Sequence, residues 1–337
     1  MTIREAIAKV ALFESLSSSE MTAVMHEIMD GVATPSQVAS FVTALRMKGE
    51  TVDEIVGAVT VMREKCVRIR PAHPVVLDTC GTGGDSANTV NISTISAVVA
   101  AGAGVMVAKH GNRAVSSRCG SADVLKELGV NIECPPDIVE RCINEIGIGF
   151  IFAPLFHPAM KHAIGPRREI GIRTIFNILG PLTNPAGARY QLLGVYDSKL
   201  TGILAEVLRR FDSERAIVVN GDGLDEITIT GRTEISELKN GKVNSYSVSP
   251  VDFGIKEQSL SALAGGDPAY NARIMLDTLR GEPGPIKDAV ILNAGSALYV
   301  AGAAGDIKQG MEQAEGSIRS GRALLKLNQM VQLTNKK

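Results

Sequence analysis

Beyond residue 70 the chain alternates short β-branched runs with helical patterns, a rhythm that few folds accommodate. The runs are "VVLDT" (75–79), "GVMVA" (104–108), "GFIFA" (149–153), "QLLGV" (191–195) and "AIVVN" (216–220), and helical spacing fills 92–103, 121–128, 136–146 and 199–210 between them. Consecutive parallel strands need a long crossover, which a helix supplies. The predicted architecture is therefore α/β, a mainly parallel sheet flanked by helices. Sheets of this kind bind ligands beyond the carboxyl ends of their strands, so the loops after the runs are where chemistry is expected.

Ahead of this region, residues 1–66 carry apolar positions at helical spacing and read as four helices. Thr34 before Pro35 marks one start, Thr51 with Glu54 forms a capping box at another, and Gly49 ends the helix between them. Such short helices cannot bury their apolar faces alone, so they form a small bundle or pack on another subunit. The prolines of "RIRPAHP" (68–74) break the helical pattern, which divides the chain into a helical domain, 1–69, and an α/β domain, 70–337.

Composition excludes several classes. The 35 basic and 36 acidic residues leave a formal charge of −1, which gives no global attraction to nucleic acid or an anionic membrane. Charged Arg4, Glu5 and Lys9 interrupt the apolar residues at the amino end, where a signal peptide would need an unbroken apolar stretch. The most apolar window, "ISAVVAAGAGVMVA", is shorter than the roughly 18 residues of a membrane span and contains glycines. Five cysteines without a C-x-x-C pair suit reduced thiols, so a cytoplasmic protein is expected.

Three loops combine unusual residues. The first, "CGTGGDSANTVNIST", follows run 75–79 and lacks both the Gly-Lys-Ser/Thr ending of a Walker loop and the third glycine of a dinucleotide fingerprint. Taken alone its glycines could form a structural turn, but Asn88, Thr89, Asn91, Ser93 and Thr94 place polar groups where a helix begins and its backbone donors are free. Asp85 beside those glycines would repel a bare phosphate, and is reconciled with one that carries hydroxyls or a metal ion. The second loop, "KHGNRAVSSRCGSADVLKELG" (109–129), interleaves Lys109, His110, Arg113 and Arg118 with glycines and serines, a pattern closer to a phosphate clamp than to a solvated charged face. Ser121 is expected to cap the helix that follows. In the third, "NGDGLDEITITG" (220–231), Asp225 and Glu226 offer paired carboxylates; a solvated turn is the plain alternative, and magnesium the metal that such oxygen ligands suit.

Taken in order and spacing, "GTGGD", "NIST", "KHGNRAVSS", "GSADVLKELG", "GPRREIGIRTIFNILGPLTNP" and "DGLDE" resemble the anthranilate phosphoribosyltransferases of tryptophan biosynthesis over nearly the whole chain. Ser86 and Ala87 depart from the glycine-rich continuation common in that family, and Cys119 lies within the clamp. The resemblance implies a fold close to the nucleoside phosphorylases, and a homodimer formed through the helical domain, which helices from about 158–185 would join. It also implies transfer of phosphoribose from 5-phosphoribosyl 1-pyrophosphate (PRPP) to the amine of anthranilate, with magnesium, two ions, and release of pyrophosphate.

Carried onto this sequence, the resemblance assigns the PRPP site to Gly81, Gly84, Asp85, Thr89, Asn91, Ile92, Ser93 and Thr94 of the first loop. From the second it takes Lys109, His110, Gly111, Asn112, Arg113, Ala114, Val115, Ser116, Ser117 and Ser121. Ser93, Asp225 and Glu226 are the expected metal ligands, and Gly81, Asn112 and Arg167 the expected anthranilate site, with Arg167 forking onto the carboxylate and Arg168 its neighbouring alternative. Lys109, Arg167, Asp225 and Glu226 are the expected catalytic groups. His110 and His157 are candidates to line the acceptor pocket. Two other functions compete: a pyrimidine nucleoside phosphorylase, which would consume inorganic phosphate, and a nucleic-acid-binding relative without turnover, against which the low aromatic content of 4% argues.

Overall fold

The computed structural model describes residues 1–84, 87–114 and 118–336. In chain order its helices and strands begin with α1 (Ile3–Ala11), α2 (Ser18–Met29), α3 (Pro35–Lys48), α4 (Val52–Lys65), β1 (Leu77–Gly81), α5 (Ile92–Gly102), β2 (Val107–Gly111), α6 (Ser121–Glu127), α7 (Pro136–Arg141) and β3 (Ile148–Phe152). They continue with α8 (Ala153–Phe156), α9 (Lys161–Ile170), α10 (Phe176–Leu179), β4 (Tyr190–Gly194), α11 (Leu200–Arg210), β5 (Arg215–Gly221), β6 (Thr233–Lys239), β7 (Lys242–Val248), α12 (Pro268–Leu279), α13 (Pro285–Val300), α14 (Ile307–Arg319) and α15 (Arg322–Thr334). Two compact units result, one of residues 1–68 with 154–185 and one of 69–153 with 186–337.

In the first unit each of α1 to α4 opens on a reciprocal capping box, Thr2 with Glu5, Ser17 with Glu20, Thr34 with Gln37 and Thr51 with Glu54. Each box satisfies two backbone donors that a helix start leaves over. Glu54 does more than cap. Fully buried, it accepts from the Leu16 N–H at 2.9 Å and from Lys48 Nζ at 2.9 Å, so one carboxylate ties α4 to the α1–α2 loop and to the end of α3. Removing one partner of a buried pair leaves the other charge uncompensated, which costs about 3–5 kcal/mol. Glu54→Ala is therefore expected to lower the thermal midpoint clearly, and Glu54→Gln less; a denaturation scan unchanged by Glu54→Ala would refute this role. The later segment joins the same unit through the Arg63 guanidinium, which donates to the Leu182 carbonyl at 2.8 Å, and the Val67 N–H, which donates to the Phe156 carbonyl at 2.9 Å.

The second unit is built on a seven-stranded sheet of order β3-β2-β1-β4-β5-β6-β7. Strands β1 to β5 pair in parallel. β6 and β7 add an antiparallel hairpin, whose two-residue turn Asn240–Gly241 has positive φ at both positions, 53° and 71°. The expected parallel sheet is present, with β1 and β2 displaced two to three residues towards the carboxyl end of the predicted runs because the ladder begins only at Leu77↔Val107. Strand order reverses between β1 and β4, whose last paired residues are Gly81 and Gly194. α5, almost wholly buried, packs against α13 and α15 to form one side of the core.

All five cysteines are free thiols, four of them buried. Burial pushes their acidities down, raising Cys119 to about 11 and Cys142 to about 12, which makes both poor nucleophiles. Among the described residues no helix is long and apolar enough to cross a membrane.

Candidate active site

The three loops singled out by sequence follow β1, β2 and β5, at one edge of the parallel sheet. The point of strand reversal, between β1 and β4, is where open α/β sheets bind ligands. There Asp225 lies directly over both final glycines. A Cβ at Gly81 would collide with its carboxylate, and one at Gly194 with its backbone carbonyl. Absence of side chains on two adjacent strands thus lets the third loop descend onto the sheet.

From this position Asp225 Oδ2 accepts the Gly83 N–H at 2.7 Å, and Glu226 Oε1 accepts the Ser93 N–H at 3.0 Å. Gly83 and Gly84 both hold positive φ, 63° and 75°, a backbone conformation that glycine adopts without strain. At the start of α5 the other early amides are spent locally: Ile92 N–H on the Val90 carbonyl at 2.7 Å and Thr94 N–H on the Asn91 carbonyl at 3.0 Å. Ile92 and Thr94 also bury their side chains, so this turn offers a ligand chiefly the Ser93 N–H and hydroxyl. Thr89 is held in a bridge to Ala264.

Lys109 and His110 lie within β2 rather than in the loop after it. Lys109 is 3% exposed; its ammonium donates to the Thr79 carbonyl and lies 3.4 Å from Ser93 Oγ. The cation therefore stands directly beneath the first loop. His110 is buried, with its N–H on Asp78 Oδ1 at 3.2 Å. Gly111 admits Ser121 Oγ, which donates to the Asn112 carbonyl at 3.2 Å. Ser121 does not cap α6 as expected: Gly120 is the cap residue, and Asp123 organises the turn by accepting the Ala114 and Gly120 N–H groups at 3.0 and 2.9 Å. Arg113 is exposed and directed to Asp123 and Glu133, at 3.4 and 3.1 Å. Asp85, Val115, Ser116 and Ser117, assigned to the PRPP site from sequence, lie outside the described residues.

The candidate acceptor residues divide between the units. Gly81 and Asn112 belong to the α/β unit. Arg167 and His157 belong to the helical unit. Arg167, on α9, stacks its guanidinium over the Phe176 ring at 5.4 Å, and among the described residues it pairs with no carboxylate. Burial alone lowers its proton affinity. A half-buried guanidinium without a counter-charge suits an incoming carboxylate. Arg168 is exposed.

His157 is buried, and desolvation brings its pKa down to about 4. The unfolded imidazole, near 6.5, takes up its proton first as pH falls, so stability is full above about 7 and declines between about 6.5 and 4, by about 3 kcal/mol in all. Thermal midpoints measured across that window should fall less steeply for His157→Phe than for the unaltered chain. Equal slopes would count against the assignment.

No group of three or more His, Cys, Asp or Glu that could hold a metal occurs among the described residues. The oxygen donors present are the carboxylates of the adjacent Asp225 and Glu226 and the Ser93 hydroxyl, with the Ser93 backbone N–H held by Glu226. An all-oxygen set of this size fits magnesium, which takes its remaining ligands from water and phosphate oxygens.

Residues 4–66 match the helical bundle domain of a glycosyl transferase family, and residues 73–324 match its α/β domain. Anthranilate phosphoribosyltransferase from Anaeromyxobacter sp. (strain K) is 55% identical over 332 residues, 98% of either chain. The chain belongs to the anthranilate phosphoribosyltransferase family. The family member from Moorella thermoacetica is 54% identical, over 98% of this chain and 97% of its own. Among solved structures, the Thermus thermophilus enzyme superposes with a TM-score of 0.94 at 43% identity, covering 98% of this chain and 99% of its own. The Saccharomyces cerevisiae enzyme, solved in complex with PRPP and Mg, gives 0.89 at 30% identity, covering 98% and 97%. Solved with 4-fluoroanthranilate, it gives 0.87 at 28%, covering 98% of both chains.

Sequence reasoning passed over Asp123 and Asp78, whose carboxylates hold backbone amides of the second loop and of β2. A carboxylate three residues into a glycine-capped helix was the available signal for Asp123.

Proposed function

We propose that the chain transfers phosphoribose from PRPP to the amine of anthranilate, giving N-(5-phosphoribosyl)anthranilate and pyrophosphate in tryptophan biosynthesis. The observation that carries this reading is the convergence of Gly83 N–H, Ser93 N–H, Lys109 and the Asp225–Glu226 pair at the strand reversal. It combines anion donors with metal-binding carboxylates, as a metal-bound pyrophosphate requires.

In the reaction the anthranilate nitrogen forms a bond to the anomeric carbon as the bond from that carbon to pyrophosphate oxygen breaks. The bonding pair leaves with pyrophosphate, and the amine proton goes to solvent. Positive charge develops on the ribose and negative charge on the leaving group, so fixed donors aimed at the latter lower the barrier most. The Gly83 and Ser93 amides and the Lys109 ammonium fill that role, while the second loop holds the ribose phosphate. When bound, magnesium neutralises charge on the departing pyrophosphate, held by Asp225, Glu226 and Ser93; two ions are proposed. The aromatic amine is neutral at pH 7, so orientation matters more than a general base. Arg167 supplies it by gripping the anthranilate carboxylate.

A homodimer joined through the helical unit is supported by its exposed Leu12, Phe13, Val32 and Met47, apolar side chains each more than 60% exposed. A cytoplasmic location fits the free thiols. Loss of anthranilate fluorescence only when chain, PRPP and magnesium are all present is the expected result. Consumption of phosphate with a pyrimidine nucleoside, and none of anthranilate, would instead identify a phosphorylase.

A further inference from the structure

The loops after β1 and β2 are tied to one another by Asn91, and Asn91 is held by a side chain that neither loop contains. Asn271, on α12, is 3% exposed. Its Oδ1 accepts the Gly266 N–H at 2.8 Å, and its Nδ2 donates to Asn91 Oδ1 at 3.0 Å. Asn91, the residue that opens α5, then donates from Nδ2 to the Cys119 carbonyl at 3.1 Å, in the second loop. The segment before α12 is itself strapped to the first loop: Val90 N–H donates to the Leu263 carbonyl at 3.0 Å, and Gly265 N–H to the Asn88 carbonyl at 2.7 Å.

The relay has a fixed direction. An amide side chain can present either end to a neighbour, but this one runs from a backbone N–H, which only donates, to a backbone carbonyl, which only accepts. Gly266 compels Asn271 to turn its oxygen inward and its NH₂ towards Asn91. Asn91 must then offer oxygen to Asn271 and NH₂ to Cys119. Both rotamers and both amide orientations follow from the two ends, and each link is buried or half-buried, where an unmet polar group is expensive. Asn91 makes no cap bond of its own to α5, so its side chain is wholly given to this linkage.

We infer that Asn271 is a positioning residue for the PRPP site, acting through Asn91 to hold the amino end of α5 and the second loop at a fixed separation. The inference rests on reading those two loops as the place where PRPP binds. Asn271 touches neither reacting atom nor, on that reading, substrate. Its effect is on where the Ser93 N–H and the bonded pair Asn112 and Ser121 stand before the substrate arrives, so it bears on donor binding and leaves the acceptor alone.

Asn271→Asp tests this with almost no change of volume. The aspartate still accepts from Gly266 but confronts Asn91 Oδ1 with a second oxygen, and the relay breaks at its middle link. The Michaelis constant for PRPP should rise about tenfold while that for anthranilate changes less than about twofold, in line with one buried hydrogen bond left unmade. Asn271→Ser, which removes the amide without adding charge, should show the same split. Added to Asn91→Ala, either change should worsen PRPP binding no further, because the two residues act in series. Independently of turnover, hydrogen exchange at the Ala114, Gly120 and Ala122 amides should quicken in the ligand-free variants. Equal rises in both Michaelis constants, no change in either, or full additivity with Asn91→Ala would overturn the inference. Failure of the unaltered chain to consume anthranilate would overturn the functional reading instead, and the exchange rates would still report whether the linkage exists.

Discussion

Replacing Asp225 with Asn and Glu226 with Gln together should leave the fold intact and reduce magnesium-dependent turnover by about a thousandfold. The size follows from losing several kcal/mol of charge stabilisation on the leaving group, at about 1.36 kcal/mol per decade. Both side chains keep their volume, and an amide oxygen can still accept the Gly83 and Ser93 N–H groups, so little of the ligand-free packing is lost. The deciding measurements are turnover against magnesium concentration and the thermal midpoint of the same sample. A variant that melts normally yet keeps the parent's magnesium dependence would show that the metal is held elsewhere.

The second large effect is expected at Arg167. Truncation to alanine removes a charge-assisted contact worth about 1.5–3 kcal/mol, which raises the Michaelis constant for anthranilate by about 10- to 150-fold. That for PRPP should change little. Arg167→Lys keeps the charge but not the fork or the stacking on Phe176, and should fall between the two. Steady-state kinetics with each substrate varied in turn settle the matter: equal damage to both constants would mean that Arg167 shapes the whole site rather than gripping one substrate.

The helical starts were legible because Thr34, Pro35, Thr51 and Glu54 act within their own turn of chain. The parallel strands were legible for a similar reason, since β-branched runs bounded by glycine announce themselves locally. The hairpin of β6 and β7 was passed over although Asn240–Gly241 is a strong turn signal; β7 is too polar and exposed to read as a strand. The loops bearing Gly83, Asp225 and Glu226, and Lys109 on the strand before the second loop, could be named from residue types, and the family resemblance ordered them. Their mutual contacts could not. The bond from Asn271 to Asn91 spans 180 residues, and the Asp225–Gly83 bond spans 142. Nothing local marks Asn271, links it to Asn91, or explains why Gly194 must lack a side chain. Ser121 was misplaced by one position, because hydroxyl residues are favoured caps and glycine performs the same task here with help from Asp123.

The carboxylates of Asp225 and Glu226 accept from the same backbone donors, Gly83 N–H and Ser93 N–H, that the proposed pyrophosphate would claim, so those donors are already satisfied within the chain. Entry of the donor substrate is then an exchange of one anion for another rather than the filling of an empty cradle. Free pyrophosphate must evict two tethered competitors and afterwards sit beside them, with little net gain in hydrogen bonding and an added repulsion. A pyrophosphate that arrives with its cation meets the opposite situation, since the displaced carboxylates become its ligands. On the proposed reading of the site, these two acidic side chains would act as a sorting element, admitting the anion in company and turning it away alone.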